Sequence, residues 1–201
     1  LESNVTRPFG SDPGFLSVYN GKLIFQARDT VYGWEIFEYD GVNPPKQISD
    51  IGKGPGYGPV QPYFSEFNGI LYFSADDGTT GTELWKYDGV NPPSMVADIN
   101  PGKPRGLANS GNGTEFVQFK NKLYFSATDG SLGHELWSYD GTNSPALVAD
   151  IHTGPSDSRP RNLVVFGDTL YFIADTAGAF SDIWMYDGTN PPSSFFDVNS
   201  P

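Results

Sequence analysis

The stretch Glu135-Leu136-Trp137-Ser138-Tyr139-Asp140-Gly141-Thr142 decides the fold, because it recurs along the chain. It returns as Glu83-Leu84-Trp85-Lys86-Tyr87-Asp88-Gly89 and as Asp182-Ile183-Trp184-Met185-Tyr186-Asp187-Gly188-Thr189. A looser copy is Glu35-Ile36-Phe37-Glu38-Tyr39-Asp40-Gly41. The tyrosines stand at 39, 87, 139 and 186, so the steps are 48, 52 and 47 residues. Self-similarity at such a period marks one supersecondary unit copied four times.

Each copy offers four strand-sized segments, in the second copy 62–67, 70–75, 82–87 and 94–99. In the second of these, Leu71, Phe73 and Ala75 alternate with Tyr72 and Ser74, the period of a strand. Both faces carry bulk, so both sides of the sheet are expected to be covered. Asn20-Gly21 and Asn68-Gly69 sit between apolar runs and predict tight hairpins, whose turns need positive φ at both centres. Asp88-Gly89-Val90-Asn91-Pro92-Pro93 ends the third segment, since proline removes a ladder donor. With 24 glycines and 17 prolines, and no window of helical apolar spacing, the chain reads as all-β.

A four-stranded antiparallel meander repeated at this period is the signature of a β-propeller blade. The expectation is a single four-bladed propeller domain over 1–201, of sixteen strands, with blades at 15–51, 62–99, 113–151 and 161–198. Residues 1–14 are either a closing segment or the stump of a preceding unit. A closed ring is the first reading, and a piece of a larger propeller the second.

The motif also resembles that of the bacterial repeat proteins named for ELWxxDGT. The third copy matches every fixed position, and the second departs only at Val90. The fourth has Asp182 and Ile183 for Glu and Leu, and the first has Phe37 for Trp. The resemblance implies a propeller-like array from a secreted or surface-exposed bacterial protein, hence an extracellular or cell-surface location. It brings no agreed activity.

A formal net charge of −12 argues against nucleic acid, which is held by clustered Lys and Arg. No apolar run reaches the ~18–20 residues that cross a membrane, so no membrane insertion is expected. Without cysteine there is no disulfide framework and no thiolate metal site. The chain opens on Leu1-Glu2. That reads as a processed or excised form, so a missing signal segment is no sign of the cytoplasm.

Repeated polar residues are offered first to structure. Asp40, Asp88, Asp140 and Asp187 precede Gly and then Asn43, Asn91, Asn143 and Asn190, the pattern of an Asx turn. Glu35, Glu83, Glu135 and Asp182 open the third strand and are read as holding loop amides. No cofactor is expected. Calcium is the alternative for Asp76-Asp77-Gly78 and Asp129-Gly130, although the acids lack the interleaved spacing of a calcium loop. His134 and His152 lie in different loops, with no familiar nucleophile, zinc or phosphate motif beside them. The chain is therefore read as no enzyme.

In a meander, alternate turns lie at opposite ends. The Asn-Gly and Asp-Gly turns share one face, and the second-to-third loops share the other with the blade-to-blade linkers. Only the latter face varies between copies. Arg28, Tyr32, Trp34, Tyr57, Arg105, His134 and Phe180 fall there and form the predicted ligand site, with the aromatic rings as stacking surface. The expected function is a non-catalytic binding module for a carbohydrate or a protein surface, in a monomeric domain. The alternative is a structural spacer or assembly domain.

Overall fold

The computed structural model describes residues 10–29, 33–52, 58–59, 62–102, 104–107, 116–176 and 181–196. The chain is all-β, with four antiparallel propeller blades and no helix among the described residues. The first blade comprises β1 (Gly14–Tyr19), β2 (Lys22–Asp29), β3 (Gly33–Tyr39) and β4 (Lys46–Gln47). In the second, the inner strand comes in two pieces, β5 (Gly58–Pro59) and β6 (Ser65–Phe67), both paired with β7 (Ile70–Asp76). It continues with β8 (Thr82–Tyr87) and β9 (Ser94–Ala97). The third blade holds β10 (Val117–Phe119), β11 (Lys122–Ala127), β12 (Glu135–Tyr139) and β13 (Ala146–Ala149). The fourth holds β14 (Arg161–Phe166), β15 (Thr169–Asp175), β16 (Ser181–Tyr186) and β17 (Ser193–Phe196). The split inner strand makes seventeen strands among the described residues, where sixteen were expected.

The hairpins form as their turn chemistry dictates. Asn20 and Gly21 take φ of 49° and 72°, Asn68 and Gly69 take 51° and 73°. Lys120 and Asn121 make the same turn in the third blade at 43° and 59° without any Asn-Gly signal.

The motif strand carries the packing. Phe73 pairs with Trp85, Phe125 with Trp137, and Phe172 with Trp184, while the first blade pairs Phe25 with Phe37. In the second, third and fourth blades these residues, with Leu71, Leu123 and Leu170, face the preceding blade. The opposite flank, including Tyr72 and Leu84, or Tyr124 and Leu136, faces the following one. Three apolar clusters result, joining first to second, second to third and third to fourth blade. Tyrosine rings meet across each seam: Tyr19 with Tyr87 at 6.0 Å, Tyr72 with Tyr139 at 5.6 Å, Tyr124 with Tyr186 at 5.8 Å. Among the described residues no core cluster joins the fourth blade to the first.

One register position shows what a neighbour is worth. Ile36, Leu84 and Leu136 are fully buried, whereas Ile183, their counterpart in the fourth blade, is 39% exposed. Leu136→Ala is expected to cost about 2–5 kcal/mol, and Ile183→Ala less than about half of that. Urea denaturation of the two variants measures the difference, and equal losses would refute the seam assignment.

Candidate functional site

The repeated acids do structural work. Asp40 Oδ1 accepts the amide N–H groups of Val42 and Asn43 at 2.9 and 2.8 Å, and its Oδ2 accepts the Asn43 side-chain amide at 2.7 Å. Asp88, Asp140 and Asp187 repeat these bonds with their own turns. The Asn amide, then the backbone donors, hold the carboxyls of Asp40 and Asp140 down at about 2.

The motif glutamate clamps the outgoing linker. Glu83 is fully buried and accepts the N–H of Ile99 and of Gly106, each at 2.9 Å. The approach is close enough that a Cβ on Gly106 would stand 2.4 Å from both carboxylate oxygens. Glu135 likewise accepts Ile151 N–H at 2.7 Å, Ser158 N–H at 3.1 Å and the Ser158 hydroxyl at 2.6 Å. In the first blade Glu35 takes the hydroxyl of Ser49, which in turn accepts Ile36 N–H at 2.7 Å. In the first three blades a one-residue motif thus ties the third strand to the chain leaving its blade.

The calcium candidates are turn caps as well. Asp76 Oδ1 accepts Gly78 N–H, Asp77 Oδ1 accepts Thr79 and Thr80 N–H, and Asp129 Oδ1 accepts Ser131 and Leu132 N–H. Among the described residues no group of three or more His, Asp or Glu side chains converges as a metal site.

The predicted site residues fall into separate groups. Tyr32, Tyr57 and Phe180 lie outside the described residues. Trp34 pairs with Arg28 across β2 and β3. Its ring is half-buried, as are those of Trp85 and Trp184, so it is not the open surface that its divergence suggested. The backbone of Gly58 runs so near this strand that a Cβ there would overlap the Trp34 carbonyl oxygen at 1.9 Å. Arg28 is exposed, with its amide bonded to the Ser11 carbonyl at 2.7 Å. Arg105 is exposed on the linker after the second blade. His134 belongs to a third group: its amide and its ring Nδ1 meet Asp157 Oδ1 at 2.8 and 3.2 Å. Burial pushes Asp157 up, but these two contacts prevail and hold its pKa below the usual carboxylate range. Nearby in sequence, Asp175 pairs with Arg159 at 3.1 Å and Arg161 at 3.0 Å, and accepts the Ser181 hydroxyl at 2.6 Å. Arg161 opens β14.

A site that the sequence did not reveal lies among the inner strands. The first strands of the second, third and fourth blades converge on a cavity of about 480 Å³, the position of a propeller's central channel. Tyr63, Phe64, Ser65, Phe116, Asn162 and Val164 line it. Tyr63 is exposed, and Phe15 of the first blade meets its ring edge-on at 5.7 Å. Phe15 and Asn162 occupy matching bulges, where the register of β1 and β14 slips against the next strand. Both take left-handed backbone, at φ 53° and 54°. Such conformations are costly for a phenylalanine and concentrate at functional sites. Phe64 and Phe116 share one repeated position in this cavity, whereas Tyr63 and Asn162 share the position before it and differ between blades.

No protein-family model matches the chain, and no curated protein is matched. Solved structures are. The β-propeller domain of the trilobed protease from Pyrococcus furiosus, described as having an open velcro topology, superposes with a TM-score of 0.55 at 16% identity. The match covers 92% of this chain and 55% of that domain. A Mycobacterium tuberculosis puromycin-hydrolysing peptidase (TM-score 0.59, 14% identity) and Pyrococcus horikoshii acylaminoacyl peptidase (0.53, 13%) match over 92% of this chain. The chain spans 28% and 27% of those two. At these identities the likeness is one of fold. It nevertheless corrects the expectation that the chain is no enzyme, because its architecture recurs inside peptidases.

Glu83 generates a pH prediction. Burial pushes its carboxyl up to about 7, against the pull of the Ile99 and Gly106 amides. A raised carboxyl means that the folded chain binds the proton more tightly than the unfolded one. Its contribution is therefore complete below the ordinary glutamate range and is lost as pH rises toward about 7. The melting temperature should fall between about pH 4.5 and 7, and Glu83→Gln should flatten that slope. Parallel slopes in thermal melts of the two proteins would show that Glu83 is ionised throughout.

Proposed function

We propose that this chain is a carbohydrate-binding module of a secreted or surface-exposed bacterial protein, and that the cavity between the inner strands is its binding site. One observation carries the reading. An exposed tyrosine ring, held edge-on by Phe15, stands beside Ser65 and Asn162 in a half-open cavity of about 480 Å³. A sugar presents an apolar C–H face and a belt of hydroxyls. It needs a flat apolar surface with a few fixed polar groups around it, and concave sites of this size supply that combination. A ring already packed loses little freedom on binding, which favours affinity. The charge of −12 disfavours anionic sugars and points to neutral ones. Trp34, Arg28, Arg105 and His134 supply outer contacts on the variable face, with Tyr32, Tyr57 and Phe180 beside them in sequence.

Arrayed neutral glycans, followed by titration calorimetry on the best binder, test this. Tyr63→Ala should weaken binding by about tenfold or more, as the loss of one stacked ring does, while the melting temperature moves by a few degrees at most. Affinity that ignores Tyr63 and responds only to Trp34→Ala would move the site to the loops. Capture of protein ligands alone, unaffected by Tyr63→Ala, would end the carbohydrate reading.

A further inference from the structure

The two outer flanks of the array carry the same residues that join its blades, and they are open. At the hairpin position that Tyr19, Phe67 and Phe119 fill while buried, the fourth blade has Phe166 at 77% exposure. Phe195, at the position of Val96 and Val148, is 54% exposed. With Val164, Tyr171 and Ile183 they form an apolar hollow of about 460 Å³ on the flank that would face a fifth blade. The first blade is open on its other side. Leu16 is 64% exposed where Phe116 and Leu163 are buried, and Leu23, Phe25, Phe37 and Tyr39 are only half-buried.

A second feature repeats with the seam. Gly89, Gly141 and Gly188 each press on the first hairpin of the preceding blade, against Asn20, Phe67 and Lys120 respectively. The fourth such glycine, Gly41, has nothing within 4 Å. The hairpin that would receive it, at Phe166-Gly167-Asp168, is exposed. Likewise Tyr72 meets Tyr139 and Tyr124 meets Tyr186, while Tyr171 and Tyr39, at the same two register positions, end on opposite flanks. The chain thus carries both halves of a fourth seam and places them at its two ends.

We propose that a second copy of this chain covers both flanks, head to tail, so that two copies close one eight-bladed ring. The fourth blade of each copy docks on the first blade of the other. Phe166, Tyr171 and Ile183 then meet Leu16, Phe25 and Tyr39, and Gly41 seats on the Phe166 hairpin. Unlike surfaces that meet head to tail make a ring when their rotation closes. These four blades also match 55% of the length of a larger solved propeller domain rather than all of it. The inference is independent of the carbohydrate reading.

Sedimentation velocity and light scattering of the whole chain, across a dilution series, test it. The expected species has twice the chain mass. Phe166→Glu and Leu16→Glu, on opposite flanks, should each give monomers that keep the β-sheet circular dichroism and a cooperative melt. Should either fail to fold, Ile183→Glu and Val18→Glu replace them on the same flanks. Mixing the two variants should restore a dimer, because one of its two seams is then wild type. A wild-type monomer at every concentration would overturn the proposal, as would species growing beyond two copies. A dimer indifferent to Leu16→Glu would show two fourth blades pairing face to face and would overturn it too. So would a monomer destabilised by both variants, since that is the mark of closure within one chain.

Discussion

Everything in this molecule depends on the seam between consecutive blades. A four-stranded sheet with bulky residues on both faces cannot bury them alone. Each blade here offers Leu, Phe and Trp to one neighbour and Tyr, Leu and Phe to the other. Apolar area removed from water favours the fold at ~25 cal/mol per Å², and in a repeat array most of that area lies between units rather than within them. The motif glutamate then fixes how successive blades are joined. By accepting amides from the departing linker, Glu83 and Glu135 convert a flexible connection into a defined one.

That division of labour leaves part of each inner strand free. These strands reach the seams through Tyr19, Phe67, Phe116, Phe119 and Leu163, yet two of them bulge at Phe15 and Asn162. In the second blade the inner strand is split, with Tyr63 and Phe64 beside the break. A rigid frame with irregular inner segments is a common arrangement for recognition, because the frame supplies the stability that the site gives up.

Much of the fold was legible because packing repeats. The tyrosines at 39, 87, 139 and 186 gave the unit, Asn-Gly gave two hairpins, and Asp-Gly-Xaa-Asn gave the Asx turns. The third hairpin, at Lys120-Asn121, formed without that signal because the flanking strands impose it. The site was less legible for the same reason. Trp34 diverges from the other copies, yet it is half-buried like Trp85 and Trp184. Tyr63 and Asn162 are unremarkable along the chain and meet at one cavity only through the curvature of the array. Whether the two ends meet could not be read either. Ile183 has the same apolar character as Leu84 and Leu136, and only the folded array shows which of them lacks a neighbour.

The claim that blades are stable only through their neighbours has a direct test. A peptide of residues 58–107 contains every strand of the second blade and its Glu83 clamp but neither adjoining blade. Thermal and urea melts followed by circular dichroism should show no cooperative transition in the isolated peptide. A sharp, reversible transition would show that the blade's own hydrogen bonds and cross-strand pairs suffice, and that the seams are a consequence of the fold rather than its cause.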